Sequence, residues 1–295
     1  MKKPVTISVS LIPNLLQHTI VGLEIGNFHQ SINPKYSNEY KTWFSPSKRE
    51  LFSDRFKQLE GISSSTWFLL LYQIPAYLSD DNIESLIEII GLLSSNDPFD
   101  VIHRFPRKEE LIEKYIPREE FHRYIGFQGS PPKSWQSILE DYSNAIQQTY
   151  DDCYATNWKQ IQPTLNEIAV NIKRNYFEDF DWISWWESQT QLDFPYPKFQ
   201  IELTDPATPL GTSLLAERDG FYAHTNPIAL ISMISHEIGT HIFFNTQAMK
   251  NDLVGPLIRE DMESYLRGLE VISWATNRKV IEQRGIKWVL QKAFE

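Results

Sequence analysis

The chain has 295 residues, of which 41% are apolar and nine are tryptophan, so it can bury a sizeable core and is not a disordered protein. Its formal net charge of −10 excludes a strongly basic surface, and we therefore expect no nucleic acid and no membrane among its partners. The single cysteine, Cys153, excludes an internal disulfide and a cysteine-rich metal site. The start of the chain has no apolar signal segment, so we expect a cytoplasmic protein.

Apolar residues return at intervals of three and four through most of the first 125 residues, which predicts helices. The predicted segments are 11–24, 48–62, 65–78 and 81–93. Glycine, serine and two prolines are concentrated in 126–135, a composition that is typical of a linker. We therefore predict a helical domain over 1–125, a linker over 126–135 and a second domain over 136–295.

The second half of the chain begins with two further helical patterns, over 134–154 and 162–177. Two short runs with strand character follow at 198–205 and 213–223, separated by proline and glycine. The rest of the chain is again helical in pattern. The sequence predicts a mostly α (α+β) fold with a small β-sheet just before residue 226.

The segment HEIGTH places three polar side chains, His236, Glu237 and His241, in an otherwise apolar stretch. Pro227 suits the first turn of a helix, and the neighbouring isoleucines indicate that this helix is buried. A buried polar group without a partner costs about 1–3 kcal/mol, and a metal ion is one way to compensate two imidazoles. The segment therefore predicts a metal site.

The spacing of these histidines differs from the usual zinc-peptidase motif, in which they are four residues apart. On a regular helix, positions five apart diverge by about 140°, too far to reach one ion. A single π-turn would bring them onto one face, and Gly239 between them would tolerate it. We therefore predict a π-turn within this segment.

HEIGTH resembles the variant zinc motif of the tubulin-tyrosine carboxypeptidases and their bacterial relatives. The resemblance implies a gluzincin-like metallopeptidase region in which the third zinc ligand is the glutamate of a Glu-Gly-Leu-Ala stretch. This chain departs from the family because it lacks that stretch. Its nearest counterpart is GLEVISWA, in which Glu270 follows Tyr265 much as the family's glutamate follows a tyrosine.

With zinc bound, His236, His241 and an acidic residue would be the ligands, and Glu237 would act as the general base on a water molecule. Tyr265, Tyr222 or His224 could stabilise the developing oxyanion, and the predicted catalytic residues are Glu237 and Tyr265.

Glu270 and Glu263 fall on the same flank of a predicted helix, so helical phase does not separate them. Glu270 lies among apolar residues and is the favoured third ligand, whereas Glu263 lies in a polar run and is the alternative.

The function predicted on this basis is a zinc-dependent metallopeptidase that hydrolyses a bond near the end of a peptide or protein. The alternative is a non-catalytic helical regulatory or ligand-binding protein with a degenerate or structural metal site. Residues 1–125 resemble the helical region ahead of the winged helix in some bacterial ArsR-type regulators, although no winged-helix pattern follows. The remaining histidines, including His18, have no partner at metal spacing and are predicted to be core or surface residues.

Overall fold

A computed structural model describes residues 3–25, 34–36, 38–57, 68–105, 133–206, 211–244, 273 and 276–279. These residues are mostly helical and include one four-stranded sheet, which confirms the predicted mostly α class with a small sheet. None of the described helices has both the length and the apolar character that crossing a membrane requires.

The described helices follow the apolar periodicity that the sequence shows. Their bounds are Leu11–Gly22 (α1), Glu39–Trp43 (α2), Pro46–Lys57 (α3), Ile74–Leu78 (α4), Ile83–Ser95 (α5), Pro98–Ile102 (α6), Lys133–Thr149 (α7), Ala155–Ile172 (α8), Trp182–Thr190 (α9) and Pro227–Phe244 (α10). A short 3₁₀ turn, Pro34–Tyr36, precedes α2.

The described residues include three π-turns, one inside a segment that the sequence predicts as helix and two at the ends of such segments. They are Leu69–Gln73 before α4, Tyr150–Tyr154 between α7 and α8, and Lys173–Phe177 after α8. A π-turn accommodates one residue more than an α-turn, and such turns occur mostly at functional sites. Apolar periodicity alone does not reveal them, because the flanking helices keep the ordinary period.

The sheet consists of Val5–Ser8 (β1), Phe199–Thr204 (β2), Gly211–Ser213 (β3) and Arg218–Tyr222 (β4). Its spatial order is β1-β2-β4-β3, with β1, β2 and β4 parallel and β3 antiparallel to β4. The two predicted runs, 198–205 and 213–223, contain β2 and β4, whereas β3 was not predicted as a separate strand. The sequence pattern did not predict β1, because four residues at the start of the chain are too few to show alternation.

Elements from both sides of the predicted linker share one hydrophobic core. Helix α7 packs against α5 and α1. Strand β1 at the start of the sequence pairs with β2 in its last third, so that Val5 lies opposite Phe199. The predicted linker, 126–135, overlaps the start of α7, and its residues 126–132 lie outside the described part of the chain. The domain division therefore stays a prediction.

A buried ion pair joins the central strands. Glu202 of β2 is fully buried, and its Oε2 accepts a hydrogen bond from Arg218 of β4 at 2.5 Å. The same carboxylate accepts hydrogen bonds from the Ser8 hydroxyl at 2.8 Å and from the Ser10 backbone N–H at 2.5 Å. Arg218 also donates to the carbonyl of Ala76 in α4 at 3.0 Å. One carboxylate thus connects β1, β2, β4 and the start of α1.

Replacing Arg218 with methionine should lower the free energy of unfolding by about 3–5 kcal/mol, because it leaves Glu202 buried without its counter-charge. Urea unfolding followed by circular dichroism measures the change. The control is Lys3→Met, which breaks the partly exposed pair of Lys3 with Glu187 and should cost about 1 kcal/mol or less. Equal losses in the two variants would contradict the role given to Glu202.

Candidate functional site

The HEIGTH segment lies in the second half of α10, which is α-helical throughout from Pro227 to Phe244. The helix begins where the sequence predicts, and the N–H of Leu230 bonds the carbonyl of Asn226 at 2.9 Å. The predicted π-turn between the two histidines is wrong. On this regular helix, at roughly 100° per residue, His236 and His241 point to different sides.

Close packing accounts for Gly239. A Cβ atom at this position would lie 2.4 Å from the Trp186 ring, so only glycine lets α9 and α10 approach this closely. The indole N–H of Trp186 donates to the Ser235 hydroxyl at 3.1 Å, one turn earlier on α10. Trp186 is fully buried.

His236 is held by hydroxyl groups. Its Nδ1 lies 3.0 Å from the Ser273 hydroxyl, and its Nε2 lies 3.5 Å from the Thr240 hydroxyl. Both hydroxyls also donate to the His236 backbone carbonyl, at 3.0 and 3.1 Å. A Ser273 hydroxyl that donates its proton to this carbonyl accepts one from Nδ1. His236 is 4% exposed, so these contacts lie in the core.

His241 bonds to the sheet instead. Its Nε2 lies 2.9 Å from Oδ2 of Asp219, a fully buried residue of β4. Rings of Phe194, Tyr196 and Phe199 surround the imidazole, with centroids 5.3–6.2 Å away. This contact fastens α10 to β4 and gives the buried Oδ2 of Asp219 a partner.

The two imidazoles have different neighbours, because His236 contacts Ser273 and Thr240 while His241 contacts Asp219. Among the described residues, which include Glu237, no three His, Cys, Asp or Glu side chains are grouped to hold a metal. Glu237 is half-buried. The other predicted site residues, Tyr265, Glu263 and Glu270, lie outside the described part of the chain, and their roles stay predictions.

A second group of polar residues lies where β2 and β4 end. Asp205 directly follows β2, and its Oδ1 is 2.6 Å from Nε2 of His224, which follows β4. The Asp205 side chain is 2% exposed and the His224 side chain 35%. The Tyr222 ring packs on His224 at 5.6 Å, and Nζ of Lys35 lies 3.7 Å from Asp205 Oδ2. Parallel strands present their carboxyl ends at one edge, where α/β proteins bind ligands.

His18 of α1 lies behind this edge, in a cluster of aromatic rings. Its Nδ1 is 2.8 Å from the Tyr40 hydroxyl, and the Tyr36 and Tyr154 rings lie at 4.6 and 5.0 Å. Burial lowers the pKa of His18 to about 3, while the nearby Asp205 carboxylate opposes the shift. His18 is therefore neutral at pH 7, and of the two locations that the sequence left open, core or surface, it occupies the core.

Sequence reasoning missed Asp205 as a site residue because it looked for histidines at metal spacing along the chain. The sequence offered one signal for this site, since Asn14 and His18 are two polar residues one turn apart in the apolar helix α1. The Asn14 side chain accepts the backbone N–H of Asp205 at 2.9 Å, which brings α1 to the end of β2.

A cavity of about 240 Å³ opens near the same edge, between α8, the third π-turn and the start of α10. Its walls include the apolar side chains of Ile168 and Ile231, and the amides of Asn171 and Asn175 lie beside them. Thr225, from the turn after β4, completes the rim. The cavity combines an apolar wall with a few polar groups, which is the usual character of small-molecule sites.

Comparison with known proteins finds no matching family model, no matching curated protein and no matching solved structure. The resemblance to tubulin-tyrosine carboxypeptidases therefore depends on the HEIGTH string and its surroundings in the sequence.

Replacing Gly239 with alanine should destabilise the protein by about 1–3 kcal/mol, because the added methyl group overlaps the Trp186 ring. The matched control is Gly91→Ala in α5, where a Cβ atom meets nothing within 4 Å and alanine should stabilise the helix by up to about 1 kcal/mol. Chemical unfolding measures both. A neutral Gly239→Ala variant would show that close packing is not what requires this glycine.

Proposed function

We propose that the chain is a helical ligand-binding protein in which HEIGTH packs α10 against its neighbours, with its ligand site in the cavity between α8, the third π-turn and the start of α10. The observation that carries this proposal is the separation of the two histidines. His236 bonds Ser273 and Thr240, whereas His241 bonds Asp219, so each imidazole already has a structural role. This corresponds to the non-catalytic alternative drawn from the sequence.

The cavity beside α8 is the ligand site that we infer. Its volume of about 240 Å³ suits a molecule of amino-acid size and not a folded peptide chain. The isoleucines suit a branched apolar group, and the Asn171 and Asn175 amides can each donate and accept hydrogen bonds. A small branched compound that carries an amide or carboxyl group matches both features.

Isobutyramide, which has a branched apolar group and an amide, is the probe for this site. Wild-type protein should bind it, and saturation-transfer NMR detects weak binding of this kind. Replacing Ile168 with tryptophan should abolish the signal, because the larger ring fills the cavity from its half-buried wall.

The matched control is Val170→Trp on the same helix, where the side chain is 62% exposed and is not part of the cavity wall. This variant should keep the wild-type signal. Isobutyramide binding that survives in Ile168→Trp, or that is absent from the wild-type protein, would reject the cavity as the ligand site.

A zinc metallopeptidase with a gluzincin-like region is the second candidate. The spacing H-E-x-x-x-H favours it, as does the position of the half-buried Glu237 directly beside His236. It requires α10 to rearrange so that His236 and His241 reach one ion, together with a carboxylate such as Glu270. Its substrate would be a peptide or protein.

Metal analysis of protein purified without a histidine tag separates the two candidates. The ligand-binding proposal predicts no stoichiometric zinc, and unchanged metal content in His236→Ala and His241→Ala. The metallopeptidase predicts about one zinc ion per chain, lost in either variant and in Glu270→Ala but kept in Glu237→Gln. Stoichiometric zinc with this pattern of loss would replace the first proposal with the second.

A further inference from the structure

The Asp205 carboxylate has one oxygen that is well bonded and one that is not. Oδ1 lies 2.6 Å from His224. Oδ2 is buried, and it has no hydrogen-bond partner among the residues that the structure describes. Its nearest described cation is Nζ of Lys35 at 3.7 Å, beyond the 2.7–2.9 Å that is usual for a charge-assisted hydrogen bond. A buried carboxylate oxygen of this kind can accept a closer cation.

An aromatic face lies at the same position. Nζ of Lys35 is 4.9 Å from the centroid of the Tyr36 ring, which is within the range of a cation–π interaction. The Tyr36 ring stacks on Tyr40 with centroids 5.6 Å apart, so its orientation is fixed by packing. A cation at this point is therefore attracted by a carboxylate and by an aromatic ring together.

Lys35 is the exposed member of this ion pair. Its side chain is 53% exposed, and the residue belongs to a 3₁₀ turn of three residues, Pro34–Tyr36. Lysine side chains are flexible and strongly hydrated, so a half-exposed one exchanges readily between a partner and water.

We propose that Asp205 and the Tyr36 ring form a binding site for a primary ammonium group, and that Lys35 covers this site until a ligand displaces it. The ligand ammonium donates a hydrogen bond to Asp205 Oδ2 and lies against the Tyr36 ring, while His224 stays on Oδ1. The net charge of −10 favours the approach of cations. The inference goes beyond the proposed function and does not depend on the cavity beside α8.

Two other buried carboxylates, both in the sheet, do not offer the same combination. Glu202 already accepts bonds from Arg218, Ser8 and Ser10. Asp219 is fully buried beneath His241 and its aromatic neighbours. Asp205 alone among these three has a half-exposed lysine above it.

Titration with n-butylammonium, followed by isothermal calorimetry at pH 7, tests the site. Lys35→Met should bind n-butylammonium about tenfold or more tightly than the wild-type protein, because the competing cation is gone. Adding Asp205→Asn to Lys35→Met should abolish the binding. An affinity that stays unchanged or falls in Lys35→Met would overturn the proposal.

Two controls exclude simpler explanations. Lys41→Met removes the same charge from an exposed position of α2 and should leave the affinity at the wild-type value. If its affinity rises as much as that of Lys35→Met, the change in net charge explains the effect and the site is rejected. Butyltrimethylammonium has the same charge but cannot donate a hydrogen bond, so equal binding of both cations would reject the role of Asp205 Oδ2. If the double variant fails to fold, two comparisons still test the site. They are the affinity of Lys35→Met against that of the wild-type protein, and the binding of n-butylammonium against that of butyltrimethylammonium.

Discussion

The buried charge of Glu202 is the constraint on which the sheet depends. A carboxylate with no solvent exposure requires several donors, and it receives them from Arg218 on one side and from the serines around the end of β1 on the other. Arg218 and Ser10, two of these donors, are 208 positions apart in the chain. Satisfying one charge therefore fixes the register of three parallel strands at once.

The register of the strands determines on which face or edge of the sheet each polar side chain lies. With Glu202 opposite Gly220, the next position, Leu203, pairs with Phe221, and Asp219 points away from Glu202 toward α10. Asp205, just past the strand, then meets His224 just past its neighbour. The two histidine–carboxylate pairs differ in exposure because one lies under a helix and the other at the open end of the strands.

Much of the fold can be predicted from the sequence, since periodicity locates the long helices, and alternation and turn residues locate β2 and β4. The site could be predicted only in part. Spacing identified His236 and His241 but gave them one shared role, whereas the regular helix separates them. Their partners, Ser273 and Asp219, are distant in sequence and carry no local signal. Asp205 and Lys35 are likewise brought together only by the tertiary fold.

The π-turn between α7 and α8 affects which neighbours these two consecutive helices contact. Because each π-turn contains one extra residue, the apolar face of the helix after the turn is rotated by roughly 100° relative to that of the helix before it. The helical segment that begins as α7 against α5 can thus continue through Tyr150–Tyr154 as α8 against β1 and β2. Removing one residue from that turn would restore regular α-helix and turn the apolar face of α8 away from the sheet.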